Sequence, residues 1–293
     1  MRAARARSNL TWPAARRPGH RYNRAMIEFP EIGPVALQLG PVAIRWYGLS
    51  YLAGIALGWW LLARRARAQP GAGWTADAVA DLVFYAAVGG VLGGRLGYIL
   101  FYNFREYLAD PLEILAVWRG GMSFHGGVLG MVGGILLFGR ATGRRFFTCA
   151  DFLVPVIPIG LALGRVANFI NQELWGAPTN LPWGVLFTAP GAGEVARHPT
   201  QLYEAALEGV LLLVLLEVLR RRHPREGVIS GLFLVGYAVC RMGVELVREP
   251  DPQLGYLWGG WLTMGQVLSL PMLVAGAYII WRSRHWALEG NKP

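Results

Sequence analysis

Charge is scarce in this chain. Only 16% of its 293 residues are Asp, Glu, Lys or Arg, and 54% are hydrophobic. A soluble domain carries about 25% charged residues, so the deficit, with a mean hydropathy of +0.35, excludes an ordinary water-soluble domain and points to lipid as the solvent. Cysteine is scarcer still. Cys149 and Cys240 both lie in or beside apolar runs, match no metal spacing or disulfide framework, and read as small buried hydrophobes. The familiar catalytic motifs are missing too: there is no GxSxG elbow, no HExxH and no P-loop. The five histidines (20, 125, 198, 223 and 285) are scattered without ligand spacing, so neither a metal nor another cofactor is expected.

What the chain does have is long apolar runs. About 20 residues are needed to cross ~30 Å of hydrocarbon. Seven stretches qualify, at 42–63, 78–102, 122–139, 150–171, 202–219, 227–248 and 263–281. No polar domain separates them. The expected fold is therefore one all-α integral membrane domain with seven transmembrane helices. The loops after spans one, three, five and seven read RRAR, RATGRR, RRRHPR and RSR and hold twelve arginines, whereas the opposite loops hold only Arg105, Arg119 and Arg197. Positive-inside bias then places the N-terminus outside and the C-terminus in the cytoplasm.

Residues 1–25 conflict with that topology. They contain seven arginines and no acid, and without them the formal charge falls from +10 to +3. The segment has no apolar core, so it is not a secretory signal. A basic arm can bind nucleic acid, but the simpler expectation is a start at Met26 and no nucleic-acid partner. The expected organisation is a basic extension over 1–25, a polytopic domain over 26–285 and a cytoplasmic tail over 286–293.

Glycine recurs at four-residue spacing in span two (Gly89, Gly93, Gly97, with Gly90 and Gly94) and clusters in span three (Gly126, Gly127, Gly130, Gly133, Gly134). Such spacing lets helices approach closely, and packing accounts for these residues without chemistry.

Polar residues inside the spans are harder to explain. An ionisable group at membrane depth faces a cavity or a partner. Arg165, Asn168 and Gln172 share one helical face at the end of span four, and Arg241, Glu245 and Arg248 share another in span six. His125 opens span three among glycines. Arg45, Trp46 and Tyr47 lie near the outer end of span one, where snorkelling and interfacial anchoring also fit. Arg95 in span two is a further candidate for the same outer cavity. Arg241 and Glu245 also suit a structural ion pair. Arg165 has no acid within four positions on its own helix, so it needs an anion from elsewhere. A lipid phosphate clamped by two guanidinium groups suits it. An anion or lipid transporter with an outward-facing arginine site is the other reading, but it would need polar residues through both halves of the bundle.

The run 164–176, GRVANFINQELWG, resembles the signature of the bacterial prolipoprotein diacylglyceryl transferase family, Gly-Arg-x-(Gly/Ala)-Asn-Phe-x-Asn-x-Glu-x-x-Gly. Gly164, Arg165, Ala167, Asn168, Phe169, Asn171, Glu173 and Gly176 fill its fixed positions. The likeness continues through WYGL (46–49), GGRLGYILFYN (93–103), WRGGMSFHGG (118–127), RHPTQLYE (197–204) and REPD (248–251), covering about residues 26–281. The resemblance implies a seven-helix inner-membrane enzyme with its site toward the periplasm. It would move the diacylglyceryl group of phosphatidylglycerol to the lipobox cysteine of preprolipoproteins, forming a thioether and releasing glycerol phosphate. His125, Arg165 and Arg241 match the family's main catalytic positions, and Tyr47, Asn168, Glu173, Glu245 and Arg248 match its supporting ones. The segment 173–201 is short for a family that often carries a longer periplasmic insert there. A thiol with pKa ~8.5 must lose its proton to attack, and an imidazole suits that task. Glu245 and Glu173 would orient arginines or the headgroup, or share the base role.

Overall fold

The computed structural model describes residues 26–30, 32–116, 120–222, 225–250 and 255–289. The basic extension 1–25, Arg119, Asp251 and the end of the tail at 290–293 lie outside the described residues.

The chain begins with strand β1 (Ile27–Glu28) and a hairpin of β2 (Val35–Leu39) and β3 (Val42–Arg45). Leu39 pairs with Val42, leaving a two-residue Gly-Pro turn. Gly40, at φ 58°, supplies the positive dihedral such a turn needs at its first position. This corrects the expected start of the first span. Residues 42–45 are extended, and helix α1 runs Trp46–Ala68.

Helices α2 (Ala76–Phe101) and α4 (Phe124–Thr142) pack along their glycines, joined by the short helix α3 (Phe104–Ala109). A Cβ on Gly93 would lie 2.6 Å from Gly130 Cα, and one on Gly97 2.8 Å from Gly126 Cα. The spacing thus serves backbone contact, as expected, although Gly133 faces open space. The fourth apolar run is helical from Phe146 to Ile170 but bent. Pro155 and Pro158, which lack the donor a helix interior requires, leave a 3₁₀ turn between α5 (Phe146–Leu153) and α6 (Ile157–Ile170).

After α6 the chain forms β4 (Val185–Leu186), which pairs in parallel with β1. The run 200–219 follows as α7 (Thr200–Glu204), a π-helical segment Ala205–Leu211, and α8 (Leu212–Leu219). Helices α9 (Val228–Glu245) and α10 (Met264–Glu289) complete the chain. Among the described residues six helical segments are long and apolar enough to cross a membrane: 46–68, 76–101, 124–142, 146–170, 228–245 and 264–283. Most of their large apolar side chains point outward, Leu129 and Phe84 among them. This is the pattern of a bundle dissolved in lipid, where helices satisfy their own backbone.

The arginine-rich loops gather at one end of the bundle. Here Arg65 pairs with Glu217 and Arg220 bonds the same carboxylate. The opposite end collects the starts of α1, α4 and α7 and the ends of α6 and α9, and those termini carry the polar residues.

Candidate active site

Asn168, on the last turn of α6, is buried. Its Nδ2 donates to Glu173 Oε1 at 2.7 Å and reaches the Tyr47 hydroxyl at 3.4 Å. The geometry after Ile170 explains why Glu173 can turn back. Gln172 and Leu174 adopt φ of 53° and 59°, and the Glu173 amide donates to the Asn168 carbonyl at 3.0 Å. The same turn corrects the expectation for Gln172. It leaves the helix before it can share a face with Arg165, and its carbonyl oxygen accepts from the amides of Thr188 and Ala189 instead. Gln201 Nε2 then donates to the Glu173 carbonyl at 2.6 Å, tying this corner to α7.

Three residues before Asn168, Arg165 meets carboxylates that its own helix lacks. Its Nε lies 3.1 Å from Glu204 Oε2, and its Nη2 lies 3.7 Å from Glu208 Oε2. Arg165 therefore has protein anions from the run 200–219, where the sequence reading supplied only a lipid phosphate. From the other side Arg241 pairs with Glu204 and Glu245, and its Nη1 is 4.0 Å from Glu208. Glu245 also accepts from Arg248 at 3.0 Å and from the Thr263 hydroxyl. The Glu204 and Glu208 side chains are 0% exposed, whereas Arg165 keeps 19% and Arg241 11%. The carboxylates form the floor and the guanidinium groups the reachable face. Among the described residues the ion pairs of Arg165 run through Nε and Nη2, and Nη1 makes none.

The rim is built from the short segment 176–200. The Gly176 amide donates to the His198 carbonyl and the Ala177 amide to the Val247 carbonyl. A side chain at Gly176 would strike the Val247 carbonyl oxygen at 2.6 Å, which explains glycine at the end of the 164–176 run. Arg197 donates to the Ala192 and Gly176 carbonyls and pairs with Glu249. His198 contacts the Tyr203 hydroxyl at 3.2 Å, and burial pushes its imidazole below the ordinary histidine range. Beneath lies an aromatic cluster of Phe29, Phe169, Trp175 and Phe187.

The structure thus draws Tyr47, Asn168, Glu173, Arg165, Arg241, Glu245 and Arg248 into adjoining contact networks. His125 stands apart. It is the second residue of α4, exposed, with Phe124 edge-on at 5.6 Å. Among the described residues no hydrogen bond or ion pair joins it to Arg165 or Arg241. Arg95 departs from expectation more sharply. Its guanidinium donates to the carbonyls of Glu113, Ile114, Ala116, Gly120 and Gly121, so it braces the loop leading into α4. Glu204 and Glu208 are the residues that sequence reading missed. Two acids spaced four apart in an apolar run were the available signal. Among the described residues no group of three His, Cys, Asp or Glu side chains is arranged to hold a metal.

The site is thus a cluster of arginines over buried carboxylates at one end of the bundle, and comparison with known proteins shows the family. A family model, prolipoprotein diacylglyceryl transferase, matches residues 34–282. The chain is 54% identical over 255 residues to a phosphatidylglycerol–prolipoprotein diacylglyceryl transferase of Methylococcus capsulatus, covering 87% of this chain and 97% of the relative. A protein of the same name from Nitratidesulfovibrio vulgaris is 55% identical over 255 residues, covering 87% of this chain and 96% of its own. One from Aeromonas hydrophila is 53% identical over 253 residues, covering 86% and 91%. This chain belongs to the prolipoprotein diacylglyceryl transferase family.

Proposed function

We propose that this protein transfers the diacylglyceryl group of phosphatidylglycerol to the lipobox cysteine thiol of preprolipoproteins. The observation that carries the reading is the pair Arg165–Arg241, converging from different helices with Arg165 partly exposed. In the reaction the cysteine sulfur forms a bond to a glyceryl carbon. The bond from that carbon to the phosphate oxygen breaks, and its electron pair leaves with glycerol phosphate. The thiol proton passes to a base, for which His125 is the candidate at the same end of the bundle. Arg165 and Arg241 stabilise charge gathering on the leaving phosphate. Asn168 and Tyr47 position the headgroup, Glu245 and Arg248 hold Arg241 in place, and Glu173 fixes Asn168.

The same reading makes the run 200–219 a seventh span, with the N-terminus outside, the C-terminus cytoplasmic and the site opening to the periplasmic face of the inner membrane. Twelve arginines in the loops at the other end support this orientation. A transporter would need a polar path through both halves. In the other half Arg65 is spent on Glu217 and the Phe152 carbonyl, and Asp151 on the Gly227 amide and Ser230.

The test combines purified protein, phosphatidylglycerol and a lipobox peptide. A thioether-linked mass gain is expected, with no gain for a Cys→Ser peptide. Arg165→Ala should insert and fold but lose at least ~10²-fold in rate. Normal lipidation by that variant would reject the clamp.

A further inference from the structure

Glu208 is the unexplained charge in this cluster. Its side chain is fully buried, and both carboxylate oxygens accept no hydrogen bond. They face Arg165 at 3.7 Å and Arg241 at 4.0 Å, distances of attraction without hydrogen-bonding contact. Glu204, by contrast, touches both arginines closely. The placement is enforced by the backbone. Glu208 sits in the π-helical segment Ala205–Leu211, and such segments are rare and gather at functional sites. Gly209 beside it presses on α6, where a Cβ would lie 2.9 Å from Ala162 Cα. Ala162 is one turn from Arg165, so the contact sets how far Glu208 stands from the guanidinium group.

Before any lipid arrives, the guanidinium groups of Arg165, Arg241 and Arg248 already face three carboxylates, Glu204, Glu208 and Glu245. An incoming phosphodiester adds one negative charge. Its product, a phosphate monoester, carries nearly two, because its second pKa is about 6. In a low-dielectric site each unmatched charge is costly. We propose that Glu208 is a positioning residue that holds the arginine pair charge-balanced, so that the site grips a phosphodiester but expels the glycerol phosphate it produces. The inference rests on the reading of Arg165 and Arg241 as the phosphate clamp. The groups acting on Glu208 are Arg165 on α6, Glu204 on α7, Arg241, Tyr237 and Cys240 on α9, and Arg248 just beyond it.

The experiment measures inhibition of the full-length enzyme by free glycerol phosphate. Glu208→Gln removes one charge at constant shape. It should tighten inhibition by about tenfold, lower the KM for phosphatidylglycerol by less, and slow turnover at saturating lipid. Glu208→Asp keeps the charge and should inhibit like the wild type. An active Glu208→Gln enzyme with unchanged or weaker inhibition overturns the proposal. The wild type gives an independent check if the variant does not insert. Its inhibition should weaken as pH rises through about 6 and the monoester gains its second charge, and tighter inhibition there overturns the proposal as well. If glycerol phosphate fails to compete with phosphatidylglycerol in the wild type, the clamp itself is wrong. If it competes but ignores the charge at 208, the clamp stands and Glu208 has no part in release.

Discussion

Glu204 spans Arg165 and Arg241 with its two carboxylate oxygens, Oε2 at 3.1 Å from Nε of Arg165 and Oε1 against Nη1 of Arg241. One buried acid therefore fixes the separation of two cations that belong to different helices. Removing it leaves Arg165 with only the more distant Glu208 and Arg241 dependent on Glu245, in a buried cluster where breaking an ion pair costs about 3–5 kcal/mol. Glu204→Ala should melt well below the wild type in detergent and lose transfer. Retained thermal stability would show that the arginines find other partners.

His125 makes a different prediction because no ion pair ties it to the arginines. Its loss should leave the fold intact and act on the thiol. His125→Gln is expected to slow transfer by about 10²–10⁴-fold at neutral pH. The rate should recover as the pH approaches the thiol pKa of ~8.5 and thiolate forms unaided. Full activity at every pH would remove His125 from the reaction.

Gly93 lies against Gly130 so closely that a side chain cannot enter without parting α2 from α4. Gly93→Leu should cost about 1–3 kcal/mol or more through overpacking and reduce the yield of folded protein. Gly133→Ala, on an open face, is the control and should be silent in the same melting experiment.

Arg95→Lys keeps the charge but loses the fork that reaches five carbonyls between Glu113 and Gly121. Each carbonyl left unpaired costs about 1–3 kcal/mol. Because this loop leads directly into the turn carrying His125, a lower kcat with little change in KM is expected. A variant affected only in KM would argue that the loop shapes lipid entry instead.

Much of this architecture could be read from the sequence because its causes are local. Apolar length defines a membrane helix, and four-residue glycine spacing predicted close helix packing, though not that α2 and α4 are each other's partners. Arg165 stood out because a lone cation in an apolar run demands a partner, and Arg241 because it shares a helical face with Glu245 and Arg248. The partners were less visible. Glu204 and Glu208 lie in a stretch whose leucines dominate its pattern, and only tertiary folding carries them beneath the arginines. The hairpin before α1 was hidden by apolar residues at 42–44 that merge with the helix in any hydropathy window. The misplacement of Gln172 has a similar origin, since helical spacing extrapolates smoothly past Ile170 whereas the backbone turns at φ 53°.

The parallel pairing of β1 with β4 bears on how the chain is made. Ile27 bonds to the Gly184 carbonyl and Phe29 to that of Leu186, so the first described strand has no partner until the chain beyond α6 has been synthesised and delivered to the same side of the bundle. Contacts this distant in sequence close late. The aromatic cluster around Phe29 therefore joins the start of the described chain to the segment after α6, and it can close before α9 and α10 have been made.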